Sequence, residues 1–200
     1  MPKLQHLENF IQLLHAVQKV KRVSRRPDEK EMHNTGEHTF ELALMCWYIA
    51  STNKLKLNYE KVLKYALAHD IVEAYAGDTM VFDDEATKTK PAREAAALKR
   101  IEEEFPEFAD LTETIHEYEN LSTPEAKFVY AADKLIDPMV LSMEKTQSLW
   151  KEYNISWESL LEKKTHKIEV SKDILPYWYE VVKKLEAKKE FFFPNPRSPH

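Results

Sequence analysis

Apolar residues recur at steps of three and four through most of the chain. Leu4, Leu7, Phe10, Ile11, Leu14 and Val17 fall on one face, which predicts an amphipathic helix over residues 3–20. A second run, EHTFELALMCWYIAST, is apolar on nearly all sides and predicts a central helix capped by Asn34 or Thr35. Between them lies KRVSRRPDEKEMHNTG, a basic stretch whose Pro27 and polar neighbours read as an irregular loop. Asn58 is positioned to cap a third helix, YEKVLKYALAHDIVEAYA, that ends at Gly77. Residues 79–92 read as a loop, with helix resuming in REAAALKRIEEEF and again in ADLTETIHEYE. Ser122-Thr123-Pro124-Glu125 sets a hydroxyl cap, a proline and an acid at the start of a long helix. That helix carries Asp133 in its interior, and Pro138 is placed to kink it. A last helical region covers residues 156–189.

Composition sharpens this picture at one point. The chain has only two glycines in 200 residues, Gly36 and Gly77. A sheet protein with many tight turns needs more, because glycine supplies positive φ at little cost. The expected class is therefore all-α: one compact bundle of about six to eight helices. It is expected to fill residues 1–190 as a single domain, with an irregular proline-rich tail over 191–200.

Charge and cysteine content bound the partners. The formal net charge is −5, which argues against nucleic acid or anionic membrane as a ligand. No apolar run approaches the roughly 20 residues of a membrane span, and the start of the chain lacks the apolar core of a signal peptide. Cys46 is the sole cysteine, so no internal disulfide is possible, and a cytoplasmic location is expected.

The candidate chemistry sits on the helices. His69 and Asp70 interrupt an apolar segment, and together imidazole and carboxylate suit a divalent metal. Glu73 lies three and four residues further on, on the same helical face, where a carboxylate can orient or deprotonate a water. Asp78 follows Gly77 directly. His38 opens the preceding helix. Asp133, among apolar neighbours, needs a cation, a hydrogen-bond network or a place at the surface. Each has a plainer reading as well: a packed histidine, a chance dipeptide, an Asp133–Lys134 ion pair. His33 is a weaker metal candidate than His38, because it falls in the loop.

The order His38, His69-Asp70, Asp133 on a glycine-poor helical chain resembles the HD-domain phosphohydrolase superfamily. Three segments extend the likeness: GEHTFELALM, LAHDIVEAYAGD and HEYENLSTPEAKFVYAADKLI. Over residues 5–150 they are similar to bacterial 5′-deoxynucleotidases and their eukaryotic HD-domain relatives. The resemblance implies that His38, His69, Asp70 and Asp133 ligate one divalent ion: cobalt, manganese, magnesium, iron or zinc. It implies that Glu73 activates the attacking water and that Asp78 contacts the sugar or aids proton transfer. It implies a phosphate-binding arginine after the first helix, assigned to Arg25, with Arg22 and Arg26 as alternatives. The implied reaction is release of phosphate from (deoxy)nucleoside 5′-monophosphates. Other HD-type reactions, on nucleoside triphosphates, alarmones or cyclic nucleotides, are alternatives, as is a non-catalytic metal- or nucleotide-binding module. The resemblance also implies a homodimer. The aromatic C-terminal region, with Trp178, Tyr179 and Phe191–Phe193, either supplies its contact surface or folds back onto the core.

Overall fold

The structure is a computed structural model that describes residues 3–27, 29–145 and 149–194. Its elements, in order, are α1 (Leu4–Lys19), β1 (Lys21–Arg25), β2 (Met32–Asn34), α2 (Thr35–Thr52), α3 (Tyr59–Ala68) and α4 (Glu73–Ala76). Then come α5 (Asp84–Glu104), α6 (Ala109–Glu119), α7 (Pro124–Met143), α8 (Leu149–Glu152), α9 (Trp157–Ile168) and α10 (Leu175–Glu186). A 3₁₀ turn follows at Lys189–Phe191. Of the ten α-helical segments among the described residues, α4 and α8 have four residues each, so the expected bundle is present as eight longer helices.

Side-chain caps set several helix starts. Asn34 accepts from Glu37 N while Glu37 Oε2 accepts from Asn34 N, a reciprocal capping box at α2. Asn58 accepts from Glu60 N and Lys61 N at α3, and Thr123 from Ala126 N at α7.

α7 is the centre of the bundle. It packs against α2, α3, α6, α9 and α10, and it buries Phe128, Val129, Leu135 and Ile136. The sequence pattern assigns that place to α2, but α2 leaves a face of Phe40, Leu44, Trp47 and Tyr48 exposed. A smaller apolar cluster joins α1 to α4, α5 and α6 through Leu13, Val17, Ile71, Leu98, Ile101 and Ile115.

Three local expectations change. The stretch read as a basic loop contains an antiparallel hairpin, β1 pairing β2, with an irregular register between Lys21 and Arg25. The single helix expected up to Gly77 breaks after Ala68. There Ile71 N, Glu73 N and Ala74 N bond three residues back, to Ala68 O, Asp70 O and Ile71 O, in a tightened turn. The loop expected over 79–92 is helical from Asp84, because Asp83 caps α5 by accepting from Ala86 N. Pro91 lies inside that helix and costs one backbone hydrogen bond there.

At the C-terminus Trp178 and Phe192 are buried, and Phe192 meets Trp150 and Trp157 edge-on. Trp178 and Phe192 thus take the second of the two readings and fold onto the core, while Tyr179 and Phe193 are exposed. The part of the expected irregular tail over 195–200 lies outside the described residues. Among the described residues no helix is long and apolar enough to cross a membrane.

Candidate metal centre

The break after Ala68 positions His69 and Asp70. His69 Nδ1–H donates to the Ala66 carbonyl at 2.9 Å, which fixes the tautomer and leaves Nε2 to face inward. From the first turns of α2, His38 sends Nε2 to within 3.0 Å of Asp133 Oδ1 on α7. His69 Nε2 lies 4.0 Å from the same oxygen. The donors of His38, His69 and Asp133 all fall within 4.8 Å of one another, and all three residues are buried. Asp70 Oδ2 joins them, 3.0 Å from His69 Nε2 and 3.9 Å from His38 Nε2. Two imidazoles and two carboxylates therefore converge from α2, α7 and the turn between α3 and α4.

The cluster fits a cation on two grounds. With the proton on Nδ1, His69 Nε2 is a buried acceptor that faces another acceptor, Asp70 Oδ2, at 3.0 Å and makes no hydrogen bond among the described residues. Both carboxyls also stay ionised inside the bundle. Burial works against the Asp133 carboxylate, yet Lys134 and the His38 contact hold it well below the usual carboxylate range. Burial likewise opposes Asp70, and His69 with Arg22 outweighs it. Lys134 Nζ takes the outer oxygen of Asp133, 2.5 Å away, so the plainer ion-pair reading holds alongside the cluster.

Glu73 lies beside this cluster at the start of α4 and is buried. Thr35 Oγ1 donates to its Oε2 at 2.8 Å. Burial pushes the Glu73 carboxyl up to about 9, and the charges of Asp70 and Asp78 add to that against the opposing pull of Arg22. Asp78 follows Gly77, whose φ is +71°. Nothing lies within 4 Å of where a Gly77 side chain would stand, so the backbone angle, and not space, calls for glycine here. Arg93, on α5, donates to the Ala76 carbonyl and to Thr79 Oγ1, and so ties down both flanks of this corner.

The three candidate arginines separate. Arg22 Nη1 donates to Asp70 Oδ2 at 2.7 Å and lies 3.9 Å from Glu73 Oε2. Its Nε is buried without a hydrogen-bond partner among the described residues. Arg25 turns away: it is 5% exposed, and its guanidinium faces Glu144 at 3.7 Å and Glu152 at 3.5 Å. It lines a second, smaller recess with His33, which does not join the metal cluster. Arg26 is outermost and pairs with Glu37 and Glu29.

Arg22, Asp70, Glu73, Asp78 and Asp133 share one open cleft of about 150 Å³. Phe82, Trp150 and Tyr153 form an aromatic part of its lining. Sequence reasoning treats Thr35 only as a possible cap and passes over Arg93. No local signal marks either residue, since their roles come from contacts 38 and 14 to 17 residues away.

Residues 14–175 match the family model of the HD domain. Human 5′-deoxynucleotidase HDDC2 is 31% identical over 132 residues, 63% of this chain and 63% of that protein. The Xenopus laevis protein of the same name is 32% identical over 137 residues, 64% of this chain and 65% of that one. The match thus spans a little under two thirds of the length of these curated relatives. Among solved structures, a "predicted metal-dependent phosphohydrolase" from Magnetospirillum magnetotacticum MS-1 aligns with a TM-score of 0.81 at 24% identity, covering 96% of each chain. At that identity the likeness is one of fold.

Proposed function

The chain belongs to the HD-domain family, and from that premise we propose that it is a metal-dependent phosphohydrolase acting on (deoxy)nucleoside 5′-monophosphates. The observation that carries this reading is a pair of unmet buried groups on one site. Among the described residues His69 Nε2 faces only carboxylate oxygen, without a hydrogen bond, in a cluster of metal-type donors, and Arg22 Nε has no hydrogen-bond partner beside it. The first asks for a cation and the second for an anion.

His38, His69, Asp70 and Asp133 would hold the ion. This donor set contains no thiolate and is compatible with cobalt, manganese, iron, magnesium or zinc. When bound, such an ion supplies Lewis acidity that lowers the pKa of water and polarises a phosphoryl oxygen. Arg22 then takes the place first assigned to Arg25: its guanidinium binds the phosphate and offsets charge that builds on its oxygens. Glu73 accepts the proton of the attacking water in its ionised form, which its burial makes the minor form at neutral pH. Asp78 hydrogen-bonds a sugar hydroxyl and assists the leaving oxygen. The Phe82, Trp150 and Tyr153 side of the cleft receives the base by stacking and apolar contact.

A second copy of the chain is the proposed partner in solution, docked through the exposed face of α2 rather than through the C-terminal aromatics. The proposed compartment is the cytoplasm, in keeping with the single free cysteine, Cys46.

The test is phosphate release from a panel of ribo- and deoxynucleoside 5′-monophosphates with each of several divalent metals. Release from monophosphates that ends on chelation is expected. Release from triphosphates alone, or from no nucleotide, overturns the reading.

A further inference from the structure

The cleft has a second pole. Lys90 from α5, Lys134 from α7, and Lys164 and Lys167 from α9 all line it. Two of these ammonium groups are matched at short range: Lys134 by Asp133 at 2.5 Å and Lys90 by Glu94 at 3.3 Å. The other two are not. Lys164 is only 4% exposed, and Asp137 Oδ2, 3.9 Å away, is the one carboxylate within ion-pair reach among the described residues. Lys167 is half-buried and forms no ion pair among the described residues.

Burying an ammonium without close compensation is costly, so such a group persists where something else supplies the negative charge. A monophosphate bound through Arg22 and the four-ligand cluster leaves these lysines unused. We propose that the Lys90–Lys134–Lys164–Lys167 wall binds a second phosphate group carried by the same substrate as the one hydrolysed. The proposal rests on the phosphohydrolase reading above and goes beyond it, from the plain monophosphate to a nucleotide that carries a second phosphate as the preferred substrate. The electrostatic setting agrees with the geometry. Burial, then the charges of Lys134, Lys164 and Lys90, push Lys167 down to about 8. Burial also lowers Lys164, with Asp137 offsetting this only in part. An incoming dianion relieves both.

The second phosphate can sit on the ribose or extend the 5′ chain, and the assay separates the two. Values of kcat/KM are measured with divalent metal for deoxyadenosine 5′-monophosphate, deoxyadenosine 3′,5′-bisphosphate and deoxyadenosine 5′-diphosphate. The expected result is a preference of about tenfold or more for one of the doubly phosphorylated compounds, the size of one charge-assisted contact. K164M and K167M should each bring that ratio back toward one. Because a ratio is read, losses common to all substrates cancel, and circular dichroism confirms that each variant is folded. A wild-type ratio at or below one for both compounds overturns the proposal. Thermal stabilisation by the same three nucleotides separates the two levels of the argument. Stronger stabilisation by a doubly phosphorylated compound, lost in K164M, without turnover of any of the three keeps the lysine wall and sinks the hydrolase. Equal stabilisation by all three sinks the wall.

Discussion

Thr35 Oγ1 donates a 2.8 Å hydrogen bond to Glu73 Oε2, and both side chains are buried. The bond joins the first residue of α2 to the first residue of α4. It favours the carboxylate form of Glu73, whose burial favours the protonated form. Thr35→Val removes that support while keeping the shape of the side chain. The Glu73 carboxyl should then titrate still higher, so the acidic limb of the pH–rate profile should move to higher pH. At neutral pH kcat should fall by about tenfold, since a lost buried hydrogen bond is worth ~1–3 kcal/mol. A profile of kcat against pH checks this, and an unmoved acidic limb removes Glu73 from the role of proton acceptor.

Arg22 and Arg25 should separate by assay as they do in space. Arg22→Met should lower kcat/KM by about 10²–10³-fold, as expected for a lost charge-stabilising donor, with metal content retained. Arg25→Met removes a buried guanidinium that lies 3.7 Å from Glu144 and 3.5 Å from Glu152. It should cost ~1–3 kcal/mol of stability, the worth of a hydrogen bond to a charged group. Its folded fraction should retain near wild-type kcat/KM. Urea denaturation and steady-state kinetics on both variants decide the matter; the opposite pattern returns the phosphate to Arg25.

Arg93 touches none of the proposed reacting groups, yet it holds Ala76 and Thr79, which flank Gly77 and Asp78. Arg93→Ala should loosen that corner and raise KM for the nucleotide by about tenfold, in line with the sensitivity of bound geometry to small displacements. Metal binding should be unchanged. Arg93→Lys should restore part of the loss through one of the two contacts. A variant with wild-type KM shows that Asp78 needs no such tether.

The exposed face of α2 presents Phe40 at 65%, Trp47 at 51% and Tyr48 at 69% exposure, with Leu44 between them and Leu67 exposed on α3. A helical stripe of this kind covers several hundred Å², more than isolated surface residues leave, and at that size it marks an interaction surface. Two such faces brought together approach the ~1,200 Å² lower bound of a stable interface. Light scattering should therefore report a dimer at micromolar concentration, and Trp47→Glu should shift it to monomer without loss of helicity. A monomeric wild type refutes this surface as a dimer contact.

Much was legible in the sequence because it depends on neighbours along the chain. Periodic apolar residues and the near-absence of glycine determined the helical class. Asn34, Asn58 and Thr123 announced their helices, because a cap acts on backbone only two or three residues away. The residue types of His38, His69, Asp70 and Asp133 determined which donors were on offer. The tertiary structure alone decided what meets what. Arg22 and Arg25 lie three apart, a spacing that shares a face on a helix but reverses it on a strand. Only the hairpin, built by pairing β1 with β2, turned one toward Asp70 and the other toward Glu144. The lysine wall comes from three helices, and Thr35 reaches Glu73 across 38 residues of chain. Burial and long-range packing assign these partners, and neither is a property of any short stretch of sequence.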